Sequence, residues 1–220
     1  MKKFIIITIL LTLVQIAAKA KDYYFLASED YFYENPANWY PSYPGTEVAA
    51  DDQVVIMSDV YFTGYDLKVA GKLKVMLGAK MSSAEGNVII AEGGSMDNEG
   101  EILVNQVENR GIFINRISAV FHVNDYFARS GAVTNNSLKA QFTTIGNLIN
   151  EGRFDNYSQC TAGKNFENHS VFNQIRNSQL EISGEILLSS EGELNQSTNS
   201  AILLGSNAKV PVQDIEKMFE

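Results

Sequence analysis

Gly146-Asn147-Leu148-Ile149-Asn150-Glu151-Gly152-Arg153-Phe154-Asp155-Asn156 carries, twice over, a unit of glycine, spacer, apolar residue and asparagine. Looser copies stand at Asn98–Asn105, Asn109–Asn115, Phe166–Asn173 and Glu191–Asn195. Each reads as a short strand entered through a polar turn. Strands this short, flanked by Asn and Gly, predict a coil that stacks on itself in preference to a sheet of long hairpins. Candidate strands run from Val54–Met57 to Ala201–Leu203, and between them no helical period of apolar residues lasts three turns, so the chain is expected to be all-β. With about three strands to a coil of roughly 18 to 22 residues, stretch 53–204 supplies about seven or eight coils, stacked at about 4.8 Å.

The recurring Asn has a physical reason. It tolerates the left-handed conformation of a tight corner, and its amide can bond an equivalent amide one coil above and below. The Gly beside it serves where φ is positive. Asn98, Asn109, Asn150 and Asn168 are therefore expected corners, with Gly100, Gly111 and Gly152 following the first three. Asn150 and Asn168 lie one plausible coil apart, whereas Asn98 and Asn109 lie too close for one. No register emerges between Arg116 and Ala140, where irregular coils or a protruding loop are expected.

Four segments follow. Residues 1–20 read as a cleavable export signal: Lys2 and Lys3 precede the apolar run Phe4–Val14, and Ala18-Lys19-Ala20 offers small residues at the cleavage positions. That run falls well short of the roughly 20 residues that span a bilayer, and no membrane span is expected in the mature chain. Residues 21–52 hold a dense group of aromatics, Tyr23 to Tyr43, with Pro36, Pro41 and Pro44, and are expected to cap the first coil. Residues 53–205 form the solenoid. Residues 206–220 form a C-terminal cap or tail, in which Pro211 precedes Val212, Ile215, Met218 and Phe219 at the spacing of a short helix.

Removing Lys2, Lys3 and Lys19 with the signal leaves 14 basic residues of the 17 against 26 acidic ones, a net charge of −12. Nucleic acid, which needs clustered Lys and Arg, is not an expected partner. Cys160 is the single cysteine, so no internal disulfide can form, and it reads as a small buried apolar residue.

Asn35-Pro36-Ala37-Asn38-Trp39, then Tyr43-Pro44-Gly45, then Asp51-Asp52-Gln53-Val54-Val55-Ile56 resembles the opening of secreted bacterial right-handed β-helix proteins, especially surface and adhesin-like proteins of the Bacteroidetes type. The same order is similar to the start of the extracellular G8 domain. The resemblance implies a single-stranded right-handed parallel β-helix, secreted or at the cell surface, in a structural, adhesive or ligand-displaying role. Extracellular glycans or other surface proteins are the partners it implies.

Chemistry is sparsely written in this chain. His122 and His169 have no ligand neighbours at metal spacing, so neither a metal nor any other cofactor is expected. Asp97, Glu99 and Glu101 alternate, and on an extended segment they would point one way, as a glycoside hydrolase on a β-helix needs of its carboxylate pair. A solvated acidic turn is the plainer account. Trp39 and Tyr40, if exposed, could stack on sugar rings. The expected protein is thus not an enzyme; a polysaccharide lyase or glycoside hydrolase, and a carbohydrate-binding module, are the competing classes.

Overall fold

The computed structural model describes residues 20–210. The expected leader, apart from Ala20, and the expected helix after Pro211 lie outside the described residues. Within them the chain is strand and turn, with a single turn of 3-10 helix at Pro36–Asn38, where Asn35 Oδ1 accepts from the Ala37 amide at 3.0 Å. Among the described residues no helix is long and apolar enough to cross a membrane.

Nine strands, from Asp22–Phe25 to Glu193–Gln196, lie parallel one above another and mark off eight turns of a β-solenoid. They form its first face. A second sheet carries the other two faces, usually as separate strands such as Gln141–Thr144 and Leu148–Asn150. In two successive coils these fuse into the nine-residue strands Glu101–Asn109 and Val120–Ala128. Coil length brackets the expected period: Lys72 pairs with Ser95, 23 positions on, and Ser95 with Ile112, 17 positions on.

Two expectations about order along the chain need correction. No irregular loop occupies Arg116 to Ala140; Val120–Ala128 there matches Glu101–Asn109 almost residue for residue. A fused strand has no turn between its halves, so the Gly/Asn punctuation used to count coils is missing. The ladder also begins inside segment 21–52, because Asp22–Phe25 pairs in parallel with Gln53–Ile56 and Phe32 bridges Tyr61.

Alternation along each strand sends every second side chain inward. On the first face Leu73, Met96, Phe113, Thr134, Phe154 and Phe172 form one buried column, with Phe154 and Phe172 stacked at 4.6 Å. The next inner column is polar: Asn98, Asn115, Asn136, Asn156 and Gln174. Each Asn donates to the side-chain oxygen of the following member, at 2.9, 3.0, 2.8 and 2.7 Å in turn. Their second N–H bonds go to the carbonyls of Val120, Gln141, Gln159 and Gln179 on the next coil. An amide with its donors engaged can sit at zero exposure without the cost of an orphaned polar group.

These asparagines are not left-handed corners. Among the described residues positive φ falls at Ala27, Ser118, Lys139, Arg176, Asn199 and four glycines, and Asn98, Asn109, Asn150 and Asn168 are instead the buried last residues of strands. Asn98 and Asn109 turn the chain by accepting, at 3.1 and 3.0 Å, from the amides of Gly100 and Gly111. Nor do Gly100, Gly111 and Gly152 serve a positive φ. A Cβ on them would overlap the carbonyl oxygens of Ala79, Gly94 and Ala132 on the coil below.

Positive φ is used in four-residue turns that the repeat had not revealed: Met76–Ala79, Arg116–Ala119, Arg129–Ala132 and Ser137–Ala140. In each the fourth amide donates to the first carbonyl, at 3.0, 3.0, 2.9 and 3.1 Å, and the third residue is Gly78, Ser118, Gly131 or Lys139. The fourth is always a buried alanine.

Candidate functional site

Asp97, Glu99 and Glu101 do not share a face. The chain turns at Glu99-Gly100, so Asp97 ends on the first face and Glu101 opens the second. Each is held by a cation from an adjacent coil. Arg116 donates from Nε and Nη2 to both oxygens of Asp97 at 2.7 Å, Lys74 Nζ meets Glu99 at 2.8 Å, and Lys80 Nζ meets Glu101 at 3.5 Å. Glycoside hydrolysis needs one carboxylic acid and one available carboxylate across a sugar-sized gap; this trio supplies braces between coils.

Trp39 is buried, with Nε1 donating to the Tyr33 carbonyl at 2.7 Å and its ring edge-on to Phe25 and Tyr33. It presents no ring face to a sugar. Tyr40, at 64 % exposure, is the member of the pair that is open to solvent. Asp52 caps the first strand, accepting from the Lys21 amide at 2.9 Å. His169 lies 3.5 Å from Glu167. Cys160 is buried between Phe142 and Leu180 of neighbouring coils, and burial pushes its thiol well above the ordinary range.

One concavity was not foreseen. It is a groove of about 840 Å³ along the corner where the third face returns to the first. The four-residue turns at 91–94 and 129–132 project there, while two-residue turns at 70–71, 110–111 and 151–152 stay low, so the edge is notched. Ala70, Ile89 and Ala91 give the groove a small apolar floor. Arg110 and Arg129 converge on Glu108 Oε1, Arg110 through Nη2 at 2.7 Å and Arg129 through Nε at 3.2 Å. Arg129 also reaches Glu151 at 3.5 Å and lies 5.4 Å above the Phe127 ring. Partial burial acts to raise the Glu108 pKa, but hydrogen bonds and charge from the two arginines outweigh it and hold the carboxyl below its usual range.

An ionised carboxylate between two guanidinium groups offers fixed acceptors and donors, not an acid and base pair with separated pKa values. The sequence did carry a signal: Asn109 and Ala128 are register partners, so Arg110 and Arg129 stack one coil apart. That spacing becomes visible only once the fused strand is known. Among the described residues no group of three His, Cys, Asp or Glu side chains could hold a metal ion. Comparison with protein-family models, with curated proteins and with solved structures finds no match to this chain.

Proposed function

We propose that this protein is an exported, non-catalytic β-solenoid that displays a ligand-binding surface outside the cell or at its surface, in a structural or adhesive role. The observation that carries the reading is the use made of its carboxylates. Asp97, Glu99, Glu101 and Glu108 are each bonded to a cation on a neighbouring coil, so charge stiffens the rod. The groove beside Arg110 and Arg129 sets donors and acceptors over a small apolar floor, which suits the hydroxyl-rich chain of an extracellular glycan. That favours glycan binding over glycan cleavage.

Export rests on the basic start, short apolar run and small residues of segment 1–20. The adhesin-like assignment rests on the order of motifs between Asn35 and Ile56. Right-handed winding accords with the hand that parallel crossovers take. In this reading the Phe25, Tyr33, Trp39 and Tyr43 cluster caps the first coil.

Incubation of the purified protein with acidic and neutral glycans is expected to release nothing. New reducing ends or unsaturated products would overturn the non-catalytic reading. On a glycan array, binding is expected to fall about tenfold or more in Arg129→Ala, the loss of one or two charged hydrogen bonds. Equal binding by the variant would remove the groove from the account.

A further inference from the structure

One edge of the rod differs from the others. The turns that leave the first face sit at successive levels, because the strands before them are hydrogen-bonded neighbours. Their tips carry Met57, Leu77, Ile117 and Leu138, exposed by 51, 80, 65 and 46 %. Tyr157 and Ile175 continue the row, half-buried. Single exposed apolar residues are ordinary, but a row across seven levels, about 29 Å at the strand separation, makes a surface.

Charge is sorted along this edge. Its N-terminal half holds Asp59, Glu99 and Glu101 with Lys80, the last two of these acids paired to Lys74 and Lys80, which leaves an acidic excess there, whereas Lys139 and Arg176 lie in its C-terminal half. Neither Lys139 nor Arg176 has an ion-pair partner among the described residues. Shape is sorted too. The four-residue turns 76–79, 116–119, 137–140 and 175–178 stand as ridges. The two-residue turns lie between them as dips, one of about 360 Å³ walled by Asp59, Leu77, Lys80, Glu99 and Glu101, the other of about 390 Å³ walled by Leu138 and Tyr157.

We propose that two copies of this chain pair along this edge, antiparallel, about a two-fold axis through Ile117. Counting levels outward from Ile117, the ridge carrying Leu77 then meets the partner copy's dip at 157–158. The ridge carrying Lys139 enters the dip that holds Glu99. Asp59 comes opposite Arg176, and Ile117 meets its own copy. On either side of the axis, where ridge 116–119 meets its own copy, the operator sets the ridges carrying Leu77 and Lys139 into dips and acid against base, as an isologous interface allows. Parallel pairing would place Asp59 on Asp59 and every ridge, not the central one alone, on its own copy. A strip about 29 Å by roughly 12 Å covers on the order of 350 Å² per copy, about half of what a standard specific interface covers, so a weak, transient dimer is expected.

Sedimentation of the purified protein across a range of concentrations is expected to show a monomer–dimer equilibrium that weakens with added salt. Ile117→Asp, at an exposed position, places two like charges on the axis and is expected to give a monomer with unchanged circular dichroism. Ile117→Cys is expected to cross-link to itself under mild oxidation. Thr198→Cys, which faces the far end of the partner, is not. Lys139→Glu should weaken association about tenfold, and adding Glu99→Lys should recover it. A monomer at every concentration, a dimer untouched by Ile117→Asp, or equal cross-linking of T198C would overturn the proposal.

Discussion

Asn136 shows how much one side chain carries in a stacked coil. It accepts from Asn115, donates to Asn156 and to the Gln159 carbonyl, and is wholly buried. Replacing it with Ala strands the Asn115 amide donor on one coil and the Asn156 and Gln159 acceptors on the next, a loss of about 2 to 4 kcal/mol measurable as a lowered denaturant midpoint. Asn135→Ala, one position away and pointing outward, is expected to cost under about 0.5 kcal/mol. The sequence announced that Asn mattered, but not why. An Asn two residues before Gly suits both a left-handed corner and an inward strand end, and only the register of the stack separates the two. Cys160 was simpler, since a lone cysteine between apolar strands has little else to do. Its thiol is expected to stay unmodified by a thiol reagent until the protein unfolds, because burial both blocks access and disfavours the thiolate.

Turns and strands differ in how plainly the sequence writes them. The repeat Gly146–Asn156 announced stacked strands because alternation and turn residues coincide there, and Leu148–Asn150 and Arg153–Asn156 are both strands. Strand Val120–Ala128 was illegible because it runs through a corner without a turn residue. The four-residue turns were missed because their mark is a buried alanine, a residue too common to flag. The structure separates two kinds of glycine, and substitution can test the difference. Gly78→Ala meets open space at φ +84° and is expected to cost about 1 to 2 kcal/mol of left-handed strain. Gly111→Ala drives a methyl into the Gly94 and Ala91 carbonyls and is expected to cost more than Gly78→Ala in the same denaturation assay. The groove corner has its own signature. Glu108 has a folded-state pKa below its unfolded value of 4.5, so its contribution is present above that value and is lost as pH falls through the folded pKa. Melting temperature is expected to fall more steeply in that acid range for the natural protein than for Glu108→Gln, and parallel curves would show that the arginines do not stabilise the carboxylate.

At the scale of the whole rod, each coil touches only the coils above and below it, so stability should vary with position. Strands Glu101–Asn109 and Val120–Ala128 have hydrogen-bonded neighbours on both sides. The first coil is braced by Tyr33, Trp39 and Tyr43, whose rings meet 4.8 to 6.2 Å apart. At the other end Ala201–Leu204 pairs on one side only among the described residues, with Leu203 and Leu204 exposed by 45 and 49 %. Hydrogen exchange is therefore expected to protect the amides of Val120–Ala128 most, those of Asp22–Phe25 less, and those of Ala201–Leu204 least. The Asn column extends this to a coupling between coils. Asn98 through Gln174 links five successive levels through side-chain amides. Asn136→Ala should then lower protection on the strands on both sides of its own, Ile112–Asn115 and Arg153–Asn156 alike. If only Val133–Asn136 lost protection, the amide chain would be a set of independent bonds, and the apolar columns alone would hold the coils in register.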